Sequence, residues 1–157
     1  MKRRFSFEIV NPITSKVNEL QIVRTQVQEL LGNANASCEF PLEVFDLLVT
    51  AFLELRWGRT EAGQGVEAGT GVEKPDAVMS TAEAIAVAFA AGLEAFHFGE
   101  GQVTGGIIAH HLIGTVLKDN ADDAKRLRHY FQGAAKKRSM VSPHWKHFID
   151  AGRGLLS

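Results

Sequence analysis

The sequence predicts a mainly α-helical domain: a bundle of five or six helices with one N-terminal β-strand and a long glycine-rich loop. Apolar residues recur every three or four positions in several segments, which is the spacing of one face of a helix. Residues that cap helices stand at the ends of many of these segments. Glycines are instead crowded into residues 58–78, a polar stretch with few apolar side chains.

Composition narrows the class of protein. The chain has 157 residues, of which 45% are hydrophobic and 22% charged, as in a globular domain. A formal net charge of -1 argues against a general nucleic-acid binder, which needs an excess of Lys and Arg. The longest apolar run, Ala84–Leu93, is too short to span a membrane. With Cys38 as its single cysteine, the chain is expected to be cytoplasmic.

The first 58 residues carry the sequence pattern of one β-strand followed by the patterns of two helices. Residues 5–10 alternate apolar and polar side chains, and Asn11-Pro12 ends the predicted strand, which lacks an obvious partner. A first helix is predicted over 15–31, with Gly32 as its left-handed cap. Its apolar stripe is Val17, Leu20, Val23, Val27 and Leu30 or Leu31. A second helix is predicted over 41–55, ended by Gly58 and buried through Val44, Phe45, Leu48, Ala51, Phe52 and Leu55.

The glycine-rich loop at 58–78 is expected to be mobile and to contact a partner protein. More helices are predicted after it. Ser80-Thr81-Ala82-Glu83 is a capping box, in which the serine hydroxyl accepts a hydrogen bond from the Glu83 N–H. It starts an alanine-rich third helix that permits close helix packing. Further helices are predicted over 103–117 and 121–138, and a short last one begins at Ser142-Pro143.

Histidine pairs are the only candidate metal ligands. His110 and His111 are neighbours on a predicted helix, so they should point about 100° apart and not share one ion. His144 and His147 stand three residues apart and could share a metal, but a structural role is the better interpretation. We therefore assign no metal site. Cys38 has no nucleophile framework around it, and a buried or idle thiol is expected.

Two arginines, Arg3 and Arg4, directly precede the predicted strand. A guanidinium held at a strand edge suits a phosphate oxygen. By composition alone, a pair of solvated N-terminal charges is the better interpretation of these two arginines.

The order of several motifs resembles a known family. They are Lys2-Arg3-Arg4-Phe5, the two helices at 15–31 and 41–55 with Glu54-Leu55-Arg56, the glycine-rich loop, Val78-Met79-Ser80-Thr81-Ala82-Glu83-Ala84, His111-Leu112-Ile113-Gly114, Lys118-Asp119 and Trp145. Together they resemble the C-terminal part of a MoxR-type AAA+ ATPase, of the branch that accompanies von Willebrand factor A-type proteins. The resemblance implies that 1–13 is the end of an AAA+ core and 14–157 a helical lid containing the 58–78 loop.

The resemblance also implies a site. Arg3 or Arg4 would be an arginine finger that reaches the γ-phosphate of a neighbouring ring subunit. Ser80 and Thr81 would contact the nucleotide. Where many relatives carry a lid-borne sensor arginine, this sequence has Ala82, which puts that contact in doubt.

The expected cofactors are ATP and magnesium, and they belong to the complete ATPase. The chain has no Walker A loop and no Asp-Glu pair after an apolar strand, so none is expected for this chain alone. The expected partners are an AAA+ core or neighbouring ring subunits, with a von Willebrand factor A-type protein as a further one; nucleic acid and membrane are not expected. Two alternatives stay open: a stand-alone helical interaction module without catalysis, and a small metal enzyme built on His144 and His147.

Overall fold

The computed structural model describes residues 15–58, 60, 72–76, 79–117 and 121–156. These residues confirm the mainly α-helical class. The helices that they form are α1 (Lys16–Asn33), α2 (Leu42–Trp57), α3 (Thr81–His97), α4 (Gly105–Val116), α5 (Ala121–Gln132), α6 (Ala134–Ser139) and α7 (Pro143–Leu156). The predicted strand at 5–10 and most of the 58–78 loop lie outside the described residues.

Helix α2 is the centre of the bundle. Its sequence is apolar almost all round, which is typical of a helix with no solvent face. All six residues predicted for its buried face are buried, and Leu47, Val49 and Leu53 on the other sides are buried as well. Helices α1 and α3 pack on it, as do α4 and α7. The core therefore forms around α2.

Small residues allow the outer helices to approach one another closely. Helix α3 buries its alanine face against α1, and a methyl group added at Gly92 would lie 2.8 Å from Leu31 Cδ2. Between α4 and α7, a methyl group at Gly105 would lie 2.1 Å from the carbonyl oxygen of His144. The expected close approach of the alanine-rich helix is confirmed, because a larger side chain would overlap its neighbour.

Helix α1 differs from its prediction in face and in ending. Val17, placed on the apolar stripe, is 73% exposed, whereas Glu19 is fully buried. The helix continues to Asn33 and closes on the carbonyls of Leu30 and Gly32. The predicted left-handed cap at Gly32 is wrong; Asn35 adopts that conformation, with φ 54°. Asparagine tolerates it better than most residues.

The prediction of one helix over 121–138 is wrong in one respect, because the chain forms two helices there that are divided at Gly133. This residue has φ -107° and ψ -97°, a non-helical conformation, and α6 starts immediately after it. Glycine adopts such a backbone at low cost since it has no Cβ. The predicted number of helices is right for the described residues if the divided helix is counted once.

The predicted caps are confirmed at two sites. The Ser80 hydroxyl accepts a hydrogen bond from the Glu83 N–H at 3.1 Å, as the capping box requires. Gly58 ends α2 in the left-handed conformation with φ 73°. Outside the helices, Glu39 and Gln102 form an isolated parallel bridge that joins the α1–α2 and α3–α4 connections. In the part of the chain that the structure describes, none of the helices has the length and apolar character to cross a bilayer.

Candidate functional site

The predicted nucleotide contacts, Ser80 and Thr81, lie side by side at the start of α3. Both are half-buried. The Ser80 hydroxyl caps the helix, and the Thr81 hydroxyl donates to Glu19 Oε1 at 2.9 Å. Their side chains are therefore bonded within the domain. A role in contacting nucleotide stays a prediction.

Glu19 connects three helices through one buried carboxylate. Its second oxygen, Oε2, accepts a hydrogen bond from Arg56 Nη2 at 2.8 Å, and Arg56 Nε donates to the carbonyl oxygen of Met79. The side chain of Glu19 is inaccessible to solvent. A buried carboxylate needs such donors, because losing its hydration is costly. We name Glu19, Arg56 and Thr81 the Glu19 cluster; it fixes the start of α3 on α1 and α2.

Glu54 is a second buried carboxylate, on α2. Both terminal nitrogens of Arg138 donate to its two oxygens, and the Tyr130 hydroxyl donates to Oε1 at 2.8 Å. The Arg138 guanidinium also lies 5.1 Å from the ring centroid of Trp145, within the range of a cation–π contact. We name these four residues the Glu54 cluster. It joins α2 to α5, α6 and α7.

The motif Glu54-Leu55-Arg56 therefore serves two clusters. Its glutamate and its arginine lie in different buried ion pairs on either side of α2. Sequence reasoning missed Glu19, Tyr130 and Arg138 as polar partners. The signal available was that an acidic and a basic residue interrupt the apolar pattern of α2, since buried charges require partners.

Residues 72–76 are attached to α5 by charged groups. The backbone N–H of Asp76 donates to Asp123 Oδ1 at 2.9 Å, and Arg126 Nη1 bonds both Asp123 Oδ1 and Asp76 Oδ2. Hydrogen bonds from its guanidinium to Asp123 and Asp76 raise the pKa of Arg126. These bonds therefore hold residues 72–76, near the C-terminal end of the 58–78 loop, against α5.

A surface cavity of about 600 Å³ lies between α5 and α7. Arg128, Lys136 and Arg153 line it beside apolar side chains that include Phe131 and Ile149. Arg128 Nε donates to the carbonyl oxygen of Leu156 at 2.9 Å, so this cation is partly committed to the end of α7. Cations near helix C-termini are favoured by the helix dipole, which accounts for this arrangement.

Glu94, His110 and His111 converge between α3 and α4. His111 Nε2 lies 2.8 Å and His110 Nδ1 3.8 Å from Glu94 Oε1. The two imidazoles stack with their centroids 5.2 Å apart. The prediction that these neighbours point too far apart to face one ion is wrong, because both side chains turn toward α3. Within the described part of the chain, His144 and His147 belong to no such group of three ligating side chains.

Two further candidates have different outcomes. Arg3 and Arg4 lie outside the described residues, so their phosphate-contacting role stays a prediction. Cys38 is half-buried, and desolvation raises the pKa of its thiol. A raised pKa lowers the thiolate fraction at neutral pH, in agreement with the expected idle thiol.

A family model described as the YehL-like AAA+ ATPase C-terminal domain matches residues 17–155. The chain belongs to this family. The YehL-like domain is also 33% identical over 151 residues to an Escherichia coli (strain K12) protein described as uncharacterized protein YehL. That match covers 96% of this chain and 39% of the relative, so the chain spans about two fifths of its relative's length. No solved structure matches.

The expectation of a C-terminal AAA+ domain is therefore confirmed at the level of the family. The matched range, 17–155, contains the Glu19 and Glu54 clusters.

Proposed function

We propose that this YehL-like domain acts as the helical lid of a MoxR-related AAA+ ATPase, together with a nucleotide-binding core. The observation that carries the proposal is the family match over residues 17–155. The chain contributes a helical cover and cationic side chains, and the core contributes the Walker motifs that hold ATP and magnesium.

A lid has to move as one body if it is to close over a nucleotide. The two buried carboxylates support this, because Glu19 connects α1, α2 and α3, and Glu54 connects α2 to α5 and α6. Arg138, the partner of Glu54, also lies over Trp145 of α7. Both ion pairs are anchored on α2, through Arg56 and Glu54. A force applied to α3 is therefore transmitted through α2 to the far helices.

The start of α3 is the proposed contact with nucleotide. The N-terminus of a helix carries partial positive charge and favours a phosphate group. The fit of the side chains is modest: Ser80 already caps the helix, Thr81 already donates to Glu19, and Ala82 supplies no cation. The lid contact is thus expected to be weak, with most of the affinity coming from the core.

Arg3 and Arg4 are proposed as the candidates for the finger. An arginine aimed at the γ-phosphate stabilises charge that develops during transfer, and its removal is costly to turnover.

ATP turnover tests both parts of the proposal. The chain alone is expected to be inactive, and a preparation containing both the chain and its AAA+ core is expected to hydrolyse ATP. In that preparation, Arg3→Ala or Arg4→Ala should lower kcat by about a hundredfold or more. The exposed Arg24 on α1 gives the matched control, because Arg24→Ala removes a similar charge elsewhere. If the preparation gains no activity, the lid proposal fails; if neither variant differs from Arg24→Ala, the finger assignment fails.

Remodelling of a client protein in the cytoplasm, with a von Willebrand factor A-type protein as partner, is proposed on the resemblance. Co-purification of that protein with the complete ATPase in the presence of ATP would support it. The alternative, an interaction module without catalysis, is favoured by one observation: Met140 and Val141, consecutive residues between α6 and α7, are both highly exposed. Exposed apolar side chains are typical of contact surfaces when they cluster. Partner binding by the chain without its core would favour this alternative.

A further inference from the structure

We propose that Glu94, His110 and His111 form a binding site for a divalent transition metal, with zinc as the best fit. This inference goes beyond the lid function and does not depend on it. One potential ligand atom from each residue lies within 4.8 Å of the other two, the only such group of three in the described residues.

The distances are close to those that a metal requires. Two ligands bound about 2.1 Å from a tetrahedral centre are separated by about 3.4 Å. The contact between Glu94 Oε1 and His111 Nε2 is 2.8 Å, and that between Glu94 Oε1 and His110 Nδ1 is 3.8 Å. The first contact is about 0.6 Å shorter and the second about 0.4 Å longer than the tetrahedral spacing. Shifts of this size need only side-chain rotation. The third pair of ligand atoms, one from each histidine, lies within 4.8 Å.

The two helices hold the ligands with different freedom. Glu94 stands in the last part of α3, and the histidines stand in the middle of α4. The side chains of Glu94 and His111 are 32% and 26% exposed, and His110 is 61% exposed. Glu94 and His111 thus form the fixed edge, and His110 is free to turn toward an ion.

The donor set has the chemistry of a zinc site. Two imidazole nitrogens and one carboxylate oxygen are ligands that zinc accepts, and the carboxylate offsets part of the charge. Partial exposure leaves room for water as a fourth ligand. An ordinary hydrogen bond accounts for the contact of Glu94 with His111. The second imidazole stacks on the first and places its Nδ1 3.8 Å from the same oxygen, where it can supply the third ligand.

The experiment is a titration of the full chain, freed of any histidine tag, with Zn²⁺ alone, followed by calorimetry. We expect one ion per chain. His110→Ala, His111→Ala and Glu94→Gln should each weaken binding by at least about tenfold. His147→Ala is the matched control, since His147 is exposed and belongs to no three-ligand group among the residues that the structure describes.

A second measurement separates metal binding from loss of structure. Thermal unfolding should show a Zn²⁺-dependent rise in Tm for the unaltered chain and for His147→Ala, and no rise for the three ligand variants. His110 is exposed, so His110→Ala should fold normally. Unchanged zinc affinity in His110→Ala, or equal losses in His147→Ala, would overturn the site. The lid proposal is tested by ATP turnover and stands or falls separately.

Discussion

Glu19 and Glu54 are both fully buried carboxylates with an arginine partner, yet they are held differently. Glu54 receives both terminal nitrogens of Arg138 and the phenol of Tyr130. Glu19 receives one guanidinium nitrogen of Arg56 and the hydroxyl of Thr81. A bidentate guanidinium is stronger and more directional than one charged nitrogen with a neutral hydroxyl. The half of the bundle around Glu54 is therefore held more firmly than the half around Glu19.

This difference coincides with the proposed lid function. The weaker cluster lies at the start of α3, where nucleotide contact is expected, and the stronger one lies among α5, α6 and α7. Regions that respond to a ligand are usually drawn from the less stable parts of a fold. The comparison teaches that the same pair of residue types can brace one region and leave another able to adjust.

The largest expected effect is the loss of Arg138. Arg138→Met leaves Glu54 buried without its guanidinium, and breaking such a pair costs about 3–5 kcal/mol. The Arg138 side chain is 25% exposed, so we expect about 3 kcal/mol, the lower end of that range. Urea unfolding measures the change. Arg24→Met is the control on an exposed site, and adding Glu54→Gln to Arg138→Met should recover part of the loss. A loss below that of Thr81→Val would contradict the comparison.

Close packing in the same half gives the second effect. A Cβ at Gly152 would lie 2.0 Å from Phe131 Cε2, and the Phe131 ring is stacked on Phe148. Gly152→Ala should therefore destabilise the fold by about 1–3 kcal/mol through overpacking. Gly154, in the same helix, has nothing within 4 Å of its added Cβ. Gly154→Ala should be stabilising by about 0.5–1 kcal/mol, since alanine favours a helix. Equal Tm values for the two variants would disprove the packing argument.

Thr81 tests the weaker cluster. Thr81→Val removes one hydrogen bond to the buried carboxylate of Glu19 and should cost about 1.5 kcal/mol, the lower end for a hydrogen bond to a charged group. Thr50 supplies a matched control, because its hydroxyl is buried and has no hydrogen-bond partner among the described residues. Thr50→Val should be neutral or stabilising, as it removes an unsatisfied group. If urea unfolding shows a larger loss of stability for Thr50→Val than for Thr81→Val, the Thr81 hydroxyl does not stabilise the Glu19 cluster.

The smallest effect concerns an exposed ion pair. A hydrogen bond from Lys146 lowers the pKa of Asp150 below its ordinary value of 3.8, and Arg153 and His147 add to this. The folded pKa is below the unfolded one, so the stabilisation is present above about pH 3.8 and is lost as the pH falls through the lowered pKa. Asp150→Asn should lower Tm slightly at pH 6 and not at pH 2. High salt should reduce the Tm difference at pH 6 by screening the charges. A Tm difference that persists at pH 2 would show that the ion pair is not its cause.

Local signals predicted the helices well, because caps and periodicity act within a few residues. Ser80 begins α3 and Gly58 ends α2 as predicted, and the predicted buried face of α2 is confirmed. The break at Gly133 was not predicted, because a charge pattern suited to one long helix continues through it. The stripe of α1 was misplaced, because hydropathy assigned Val17 to the core and Glu19 to solvent.

The two buried clusters and the histidine group depend on contacts between residues that are distant in sequence. Glu19 and Thr81 are 62 residues apart, and Glu54 and Arg138 are 84 apart. No local pattern pairs residues at such separations. The histidine pair shows the same limit from the other side: its ideal helical spacing predicted divergence, whereas Glu94 on a neighbouring helix draws both rings to one side.

The sequence by itself determined that this chain is helical, where most helices begin and end, which face of α2 is buried, and that it resembles an AAA+ C-terminal region. These properties follow from apolar periodicity and capping, which each segment carries within itself. Only the tertiary structure decided which charges are buried together and which three potential metal ligands face one another. Those outcomes depend on how helices pack, and the cost of leaving a buried charge unpaired selects among the possible packings.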